Sequence, residues 1–440
     1  MTRFVVALLV GGLCTATAFG VTPDPKDLII PPQEVSKARE LIRKLGSELY
    51  REREEAHAEL VKMGRLARPA LLEAAATDLD PEVRFRTSRL LPKAGADELT
   101  ARLDTFLADK DGKYDHDLPG LKQFRKVVGH DEKSRALFVE IVKSPYNVEV
   151  LQAIDRGVTE AGRAISDRRT LLFTHLQHRN VGGRIVPPQP ISLPDVACLL
   201  FAEAITPSKE IPRAGMWNHV TGATFLQQGV SSSAISNPGA VHADPYRRIV
   251  GQWLETRDDV QDLNQLAHLI GQHHFRSFPQ SLPLLRKIVT TEGVYGYAKG
   301  SALMFLMQQR PKEEAGFLRT LLTNDTLVST VWFGNNINNG NLQQQQHQCL
   351  LRDVSLALLL SQSGQKLKDY GFSFPNGQGE PQLQNIGYGN NYAFTTDEAR
   401  AGGMVKFGFW QLKQSFKEPV TEPTKQPAPQ PPVPAPAPGK

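Results

Sequence analysis

Between residues 34 and 108, apolar side chains return every three or four positions, and a glycine or an Asp-Pro pair interrupts each run. That spacing lines one face of an α-helix, whereas a half-buried strand would alternate at every second residue. Val35, Ala38, Leu41, Ile42 and Leu45 make the first face, with Gly46 as its stop. Residues 54–63 repeat the pattern with Ala58, Leu60 and Val61, and Gly64 closes it. Residues 68–76 predict a short helix with Pro69 in its first turn and Leu71, Leu72 and Ala75 turned inward. Asp80 is then placed to cap, and Pro81 to start, a helix running to Leu91, with a further one over 97–108. Glu82 complements the positive end of the helix dipole. A pair of helices with one apolar face each cannot bury that face alone, so neighbours must stack, here with a period of roughly 30 residues.

The pattern returns in residues 281–289, 297–307, 313–322 and 350–360, the last running into Gly364. Four stretches break it: 180–193, 206–245, the Asn- and Gln-rich 334–348, and 372–396. These are expected to be long loop insertions, where binding residues tend to sit and where sequence also drifts freely.

The stretch 69–91, containing Pro69-Ala70-Leu71-Leu72 and Asp80-Pro81-Glu82-Val83-Arg84, resembles a HEAT repeat. The resemblance implies an all-α fold, a HEAT/armadillo-like α-solenoid over residues 34–415, in which Asp80 and Arg84 tie neighbouring repeats together. Asp117-Leu118-Pro119-Gly120, Arg352-Asp353-Val354-Ser355-Leu356-Ala357 and Lys368-Asp369-Tyr370-Gly371-Phe372 are also similar to exported bacterial proteins with HEAT-like segments. Those proteins carry no established activity, so the likeness implies architecture and export but no reaction.

The first eighteen residues read as a leader: Met1-Thr2-Arg3, an apolar run from Phe4 to Leu13, then small residues through Thr15-Ala16-Thr17-Ala18. The run is about half of the roughly 20 residues a membrane span needs, so cleavage after Ala18 is expected rather than a retained anchor. Leu13 before Cys14 argues against lipidation, because a lipoprotein signal has a small residue there. Residues 19–33 are expected to be an extended segment. No later stretch is a transmembrane segment, and export to the periplasm or the outside follows. At the far end, residues 419–440 hold nine prolines, which fix φ and remove donors, so 416–440 is expected to be a disordered, polyproline-like tail acting as a spacer.

Net charge is +5, or +4 once Arg3 leaves with the leader, too small an excess on so long a chain for nucleic acid to be the main partner. The charges in 34–55 alternate in sign, as on a solvated helix face. Removing the leader leaves Cys198 and Cys349, and a long-range disulfide and two buried free thiols both fit the sequence.

The chain contains no HExxH, GxSxG, P-loop or GxGxxG sequence. The nearest metal-like spacing is His175 with His178, three apart on an expected helix and therefore on one face. His268 and the adjacent His273 and His274 are placed less well, because neighbouring rings on a helix diverge by about 100°. A metal-dependent hydrolase with a His-lined hollow is the alternative these residues keep open. Asp109, Asp111, Asp115 and Asp117 put four carboxylates in nine residues, a calcium-like density whose order departs from an EF-hand at Lys113 and Gly120. Trp217, Trp253, Phe275 and Phe278 could line a sugar groove, although aromatics at these spacings usually belong to a core. The balance is a non-enzymatic scaffold with no cofactor, binding protein partners or a cell-envelope polymer along the surface that stacked helices leave exposed.

Overall fold

The computed structural model describes residues 21–181, 184–213, 220–271, 273–336, 342–374 and 392–415, and most of them are helical. The expected leader, the expected cleavage after Ala18 and residues 416–440 lie outside these residues. Two compact units divide the chain, one of residues 1–265 and 273–281, the other of 266–272 and 282–440.

In the first unit, α1 (Pro32–Leu45), α2 (Tyr50–Met63), α3 (Arg68–Thr77) and α4 (Pro81–Ala108) form the opening layer, with α1 packed on α2 and α3 on α4. The segment before them is not simply extended, since Asp24 caps a 3-10 turn over Pro25–Leu28. Ala38, Ile42, Leu45, Leu60, Leu71, Val83 and Leu90 gather into one apolar cluster.

The break expected after Leu91 does not occur: α4 is a single helix with Pro92 inside it. Proline removes one intrahelical hydrogen bond and crowds the preceding turn, at a cost of about 3 kcal/mol. Leu90 and Ala94, on either side, both sit in the apolar cluster, and farther along Phe106 packs edge-on against Phe138 at 5.5 Å. Burial on both sides of the proline therefore holds the helix straight through it.

Next come α5 (Leu121–Val128), α6 (Glu132–Val142), α7 (Pro145–Arg156) and α8 (Val158–Leu176). A small antiparallel hairpin of β1 (Arg179–Val181) and β2 (Arg184–Val186) precedes α9 (Leu193–Ile205). Within the expected loop 206–245, the chain forms α10 (Gly222–Leu226) and α11 (Gly229–Ser236) before α12 (Ala243–Thr256). Every residue of α9 from Val196 to Ala204 is buried, beneath α6, α7, α8, α10, α11 and α12. A plain row of helix pairs does not enclose a helix in this way. The boundary between the units falls within α13 (Val260–Leu269).

The second unit holds α14 (Ser281–Thr290), α15 (Gly296–Gln309) and α16 (Pro311–Thr320), followed by β3 (Leu327–Asn336) and β4 (Leu342–Leu350). These strands pair antiparallel with Val331 opposite His347, so the stretch 334–348, expected to be a loop, is largely a β-hairpin. The fold is thus mostly helical with two small hairpins rather than wholly α. α17 (Leu351–Gln362) is buried along most of its length, and α18 (Asp397–Ser415) packs against it. Asp353 opens α17 by accepting from the Leu350 N–H at 2.9 Å, and Arg400 of α18 donates to the same carboxylate at 3.0 Å.

Candidate functional site

The residues singled out for chemistry do not converge. His175 lies in the last turn of α8, which ends at Leu176, so His178 falls beyond the helix and is exposed. The shared helix face that would have made them a ligand pair is therefore not formed. Among the described residues, no group of three or more His, Cys, Asp or Glu is close enough to hold a metal ion. The side chains of His273 and His274 lie outside the described set, as does Trp217.

The carboxylate run at 109–117 is a turn closed on itself. Asp109 accepts from the N–H groups of Lys113 and Tyr114 at 3.0 and 3.1 Å, and lies 3.0 Å from His116 Nε2. Arg125 stands 3.7 Å away. Burial alone would raise this carboxyl, but the backbone donors and His116 hold it below the ordinary aspartate value. Asp111 and Asp117 point to solvent. Three donors already meet the Asp109 carboxylate while Asp111, Asp115 and Asp117 are exposed, so among the described residues the four carboxylates do not gather around one point as calcium ligands would.

Asp80 and Arg84 serve their own turn. Asp80 accepts from the Glu82 N–H at 2.8 Å, and Arg84 donates to the carbonyls of Asp78 and Leu79 at 2.6 and 3.1 Å. Ion pairs between helices are made by other residues, Arg86 of α4 to Glu54 of α2 and Arg39 of α1 to Glu73 of α3, each at 2.9 Å. Cys198 and Cys349 are both buried thiols, one in each unit, so the disulfide weighed from the sequence is not formed. Burial pushes both thiols up to about 12, which leaves them protonated and unreactive at neutral pH. Trp253, Phe275 and Phe278 are core residues, at most 5% exposed.

What sequence reasoning missed is a buried ionic cluster in the first unit. Glu203 sits in the last turn of α9 with no exposure. Its two carboxylate oxygens accept from Arg169 Nε of α8 and Trp253 Nε1 of α12, each at 2.6 Å. Arg257, at the end of α12, donates to the Glu203 carbonyl at 2.6 Å and to Asp262 of α13 at 3.3 Å. Burial would raise Glu203, but Arg169, Arg257 and the indole N–H outweigh it and keep the carboxyl below its usual value. For Asp262 burial wins over the pull of Arg257, and its carboxyl is raised. A signal was present: one glutamate in the run Cys198-Leu199-Leu200-Phe201-Ala202-Glu203-Ala204-Ile205 demands a cation.

Arg168, the neighbour of Arg169, projects about 100° around α8 and faces a different surface. It helps line a groove of about 420 Å³ between α7 and α8. The groove is built from one face of each helix: Tyr146, Glu149, Val150, Ala153 and Arg156 on α7, and Glu160, Arg163, Ala164, Asp167, Arg168 and Leu171 on α8. Both sets follow the three-and-four spacing of a single face.

Gly157 alone joins the two helices, at φ 138°, where a side chain would be strained, and this makes the hairpin tight. On the far side, Gly162 lets the Glu210 carbonyl approach α8 so closely that an added Cβ would lie 1.9 Å from its oxygen. Small residues floor the groove, charges of both signs rim it, and Tyr146 stands half exposed at one end. The Arg168 guanidinium lies 5.4 Å from the Tyr146 ring and donates through Nη2 to Asn147 at 3.0 Å and Asp195 at 2.5 Å. Its Nε is buried without a hydrogen-bond partner.

This arrangement can hold a chain of mixed polarity in an open trough whose back wall is fixed by the Glu203 cluster. Compared with family models, curated proteins and solved structures, the chain matches none.

Proposed function

We propose that the chain is an exported helical-repeat scaffold of the HEAT-like kind, which binds protein partners or envelope polymer without catalysing a reaction, and that the α7–α8 groove is its binding surface. The observation that carries this reading is the groove itself: two helix faces in register, small on the floor, charged in both signs on the rim, with an exposed tyrosine at the end. A polyanion would be repelled by Glu149, Glu160 and Asp167 as much as attracted by Arg156 and Arg163, whereas a peptide of mixed charge meets both.

The repeat part of the proposal is supported by the sequential packing of α1 on α2, α3 on α4 and α7 on α8. Export rests on the leader-like residues 1–18.

The test uses the full chain immobilised beside an Arg156→Glu, Arg163→Glu variant, each exposed to envelope extract and to purified envelope polymer. The expected result is a partner retained by the wild type and lost from the variant, with unchanged circular dichroism. Equal retention by both, or turnover of any substrate in a panel of esters, peptides and glycosides, would overturn the reading.

A further inference from the structure

α18 is the last helix before the proline-rich end of the chain, and its outer face is apolar where the terminal helix of a stack is normally polar. Val405, Phe409 and Leu412 fall at i, i+4 and i+7 on one stripe and are 58%, 64% and 53% exposed. Beside them the rings of Phe407 and Trp410 stack, with centroids 5.9 Å apart. Together with Leu359 of α17 and Ala315 of α16 they line a hollow of about 730 Å³. Its polar lining includes Arg319, Gln362 and Gln411, all able to donate, and among the described residues no carboxylate lines it.

A ligand that suits such a surface carries no positive charge, is rich in carbonyl acceptors and poor in N–H donors, and is studded with flat apolar rings. A proline-rich segment has these properties, because proline lacks the N–H and the polyproline helix leaves every carbonyl unpaired. Aromatic-lined grooves are the recurring receptors for it.

Residues 427–438 of this chain contain seven prolines and no charge. They begin twelve positions after Ser415, the end of α18. At about 3.1 Å per residue the intervening stretch can reach roughly 34 Å, ample to fold back over the last turns of a helix rising 1.5 Å per residue. We propose that residues 427–438 dock in cis in this hollow, with Trp410, backed by the buried Phe407 ring, as the platform, and so cap the second unit. A tether this short gives an effective concentration of about 1 mM, so a segment with a dissociation constant near 0.1 mM would be roughly nine-tenths docked.

The experiment labels the full chain with 5-fluorotryptophan and assigns the Trp410 resonance with Trp410→Phe. A second full-length protein carries Pro431→Gly, Pro432→Gly, Pro434→Gly and Pro436→Gly, changes that leave the helices of the unit untouched. Docking predicts that the Trp410 resonance moves in the glycine variant while that of Trp253 stays, and that about 1 mM of a peptide copying residues 427–438 moves it back. Identical Trp410 resonances in the two proteins would overturn the proposal. A difference that fades on dilution would assign the hollow to the tail of a second copy and overturn docking in cis.

Discussion

The opening layer α1–α4 and the core around α9 both contain arginine–glutamate pairs, and they use them in opposite ways. In the opening layer the buried cluster is apolar, the buried Thr87 hydroxyl donates back to its own helix, and Arg39 meets Glu73 at 2.9 Å with both side chains more than half exposed. Around α9 the Arg169, Glu203 and Arg257 side chains are 8%, 0% and 1% exposed. An exposed pair contributes about 0–1 kcal/mol, because water already solvates both charges. A buried pair contributes little more as a unit, yet loss of one partner costs about 3–5 kcal/mol, because the other is left uncompensated in a low dielectric. The first region is held by buried area, and the second by charges that cannot be parted.

That contrast fixes an order of effects. Glu203→Leu should lower the stability of the full chain by about 3–5 kcal/mol in urea unfolding, since Arg169 loses its counter-charge and Arg257 keeps only Asp262. A loss below about 1 kcal/mol would put the cluster in the same class as Arg39 and Glu73 and erase the contrast. In the opening layer, Leu71→Ala should cost about 3 kcal/mol through lost burial and a residual cavity, as the residue is fully buried in the apolar cluster. Gly162→Ala should cost about 1–3 kcal/mol, because the Glu210 backbone must retreat from α8.

Acid sharpens the comparison further. Burial would raise Asp131, but Arg248 and the Ser134 hydrogen bonds outweigh it and lower the carboxyl to about 2. A folded-state pKa below the unfolded value of about 3.9 stabilises the fold above pH 4, and that contribution is lost as pH falls through about 2. Arg248→Met should flatten this part of the pH–stability curve, and an unaltered slope would remove the pair from the account. Glu203, also lowered, gives the same sign of dependence. Smallest of all, Arg39→Ala should shift the urea midpoint by an amount equivalent to no more than about 0.5 kcal/mol.

The helices of the opening layer and α14 and α16 were legible because each buries one stripe, and a stripe leaves a three-and-four spacing in the sequence; α15 and α17, buried almost all round, showed instead as dense apolar runs. Pro92 was misleading for a physical reason: its local penalty is visible in sequence, whereas the burial of Leu90 and Ala94 that offsets it is a property of the assembled layer. The β3–β4 hairpin was hidden because few of its side chains are apolar and inward, Val328 and Val331 among them, and the facing run Gln343-Gln344-Gln345-Gln346 shows no alternation.

Glu203 was readable as a buried charge, but its partners were not. Arg169 lies 34 positions before it and Trp253 lies 50 after it, and no local pattern links them. The groove between α7 and α8 was unread for the same reason. Its two faces are ordinary amphipathic stripes until Gly157 sets them side by side.

The central claim is that Arg169 and Glu203 stabilise the first unit only as a pair. A double-mutant cycle of Arg169→Met, Glu203→Leu and the two combined, read by urea unfolding of the full chain, tests it directly. The account predicts that each single change costs about 3–5 kcal/mol and that the double change costs clearly less than their sum. Losses that simply add would mean that the two side chains act independently, and would contradict it.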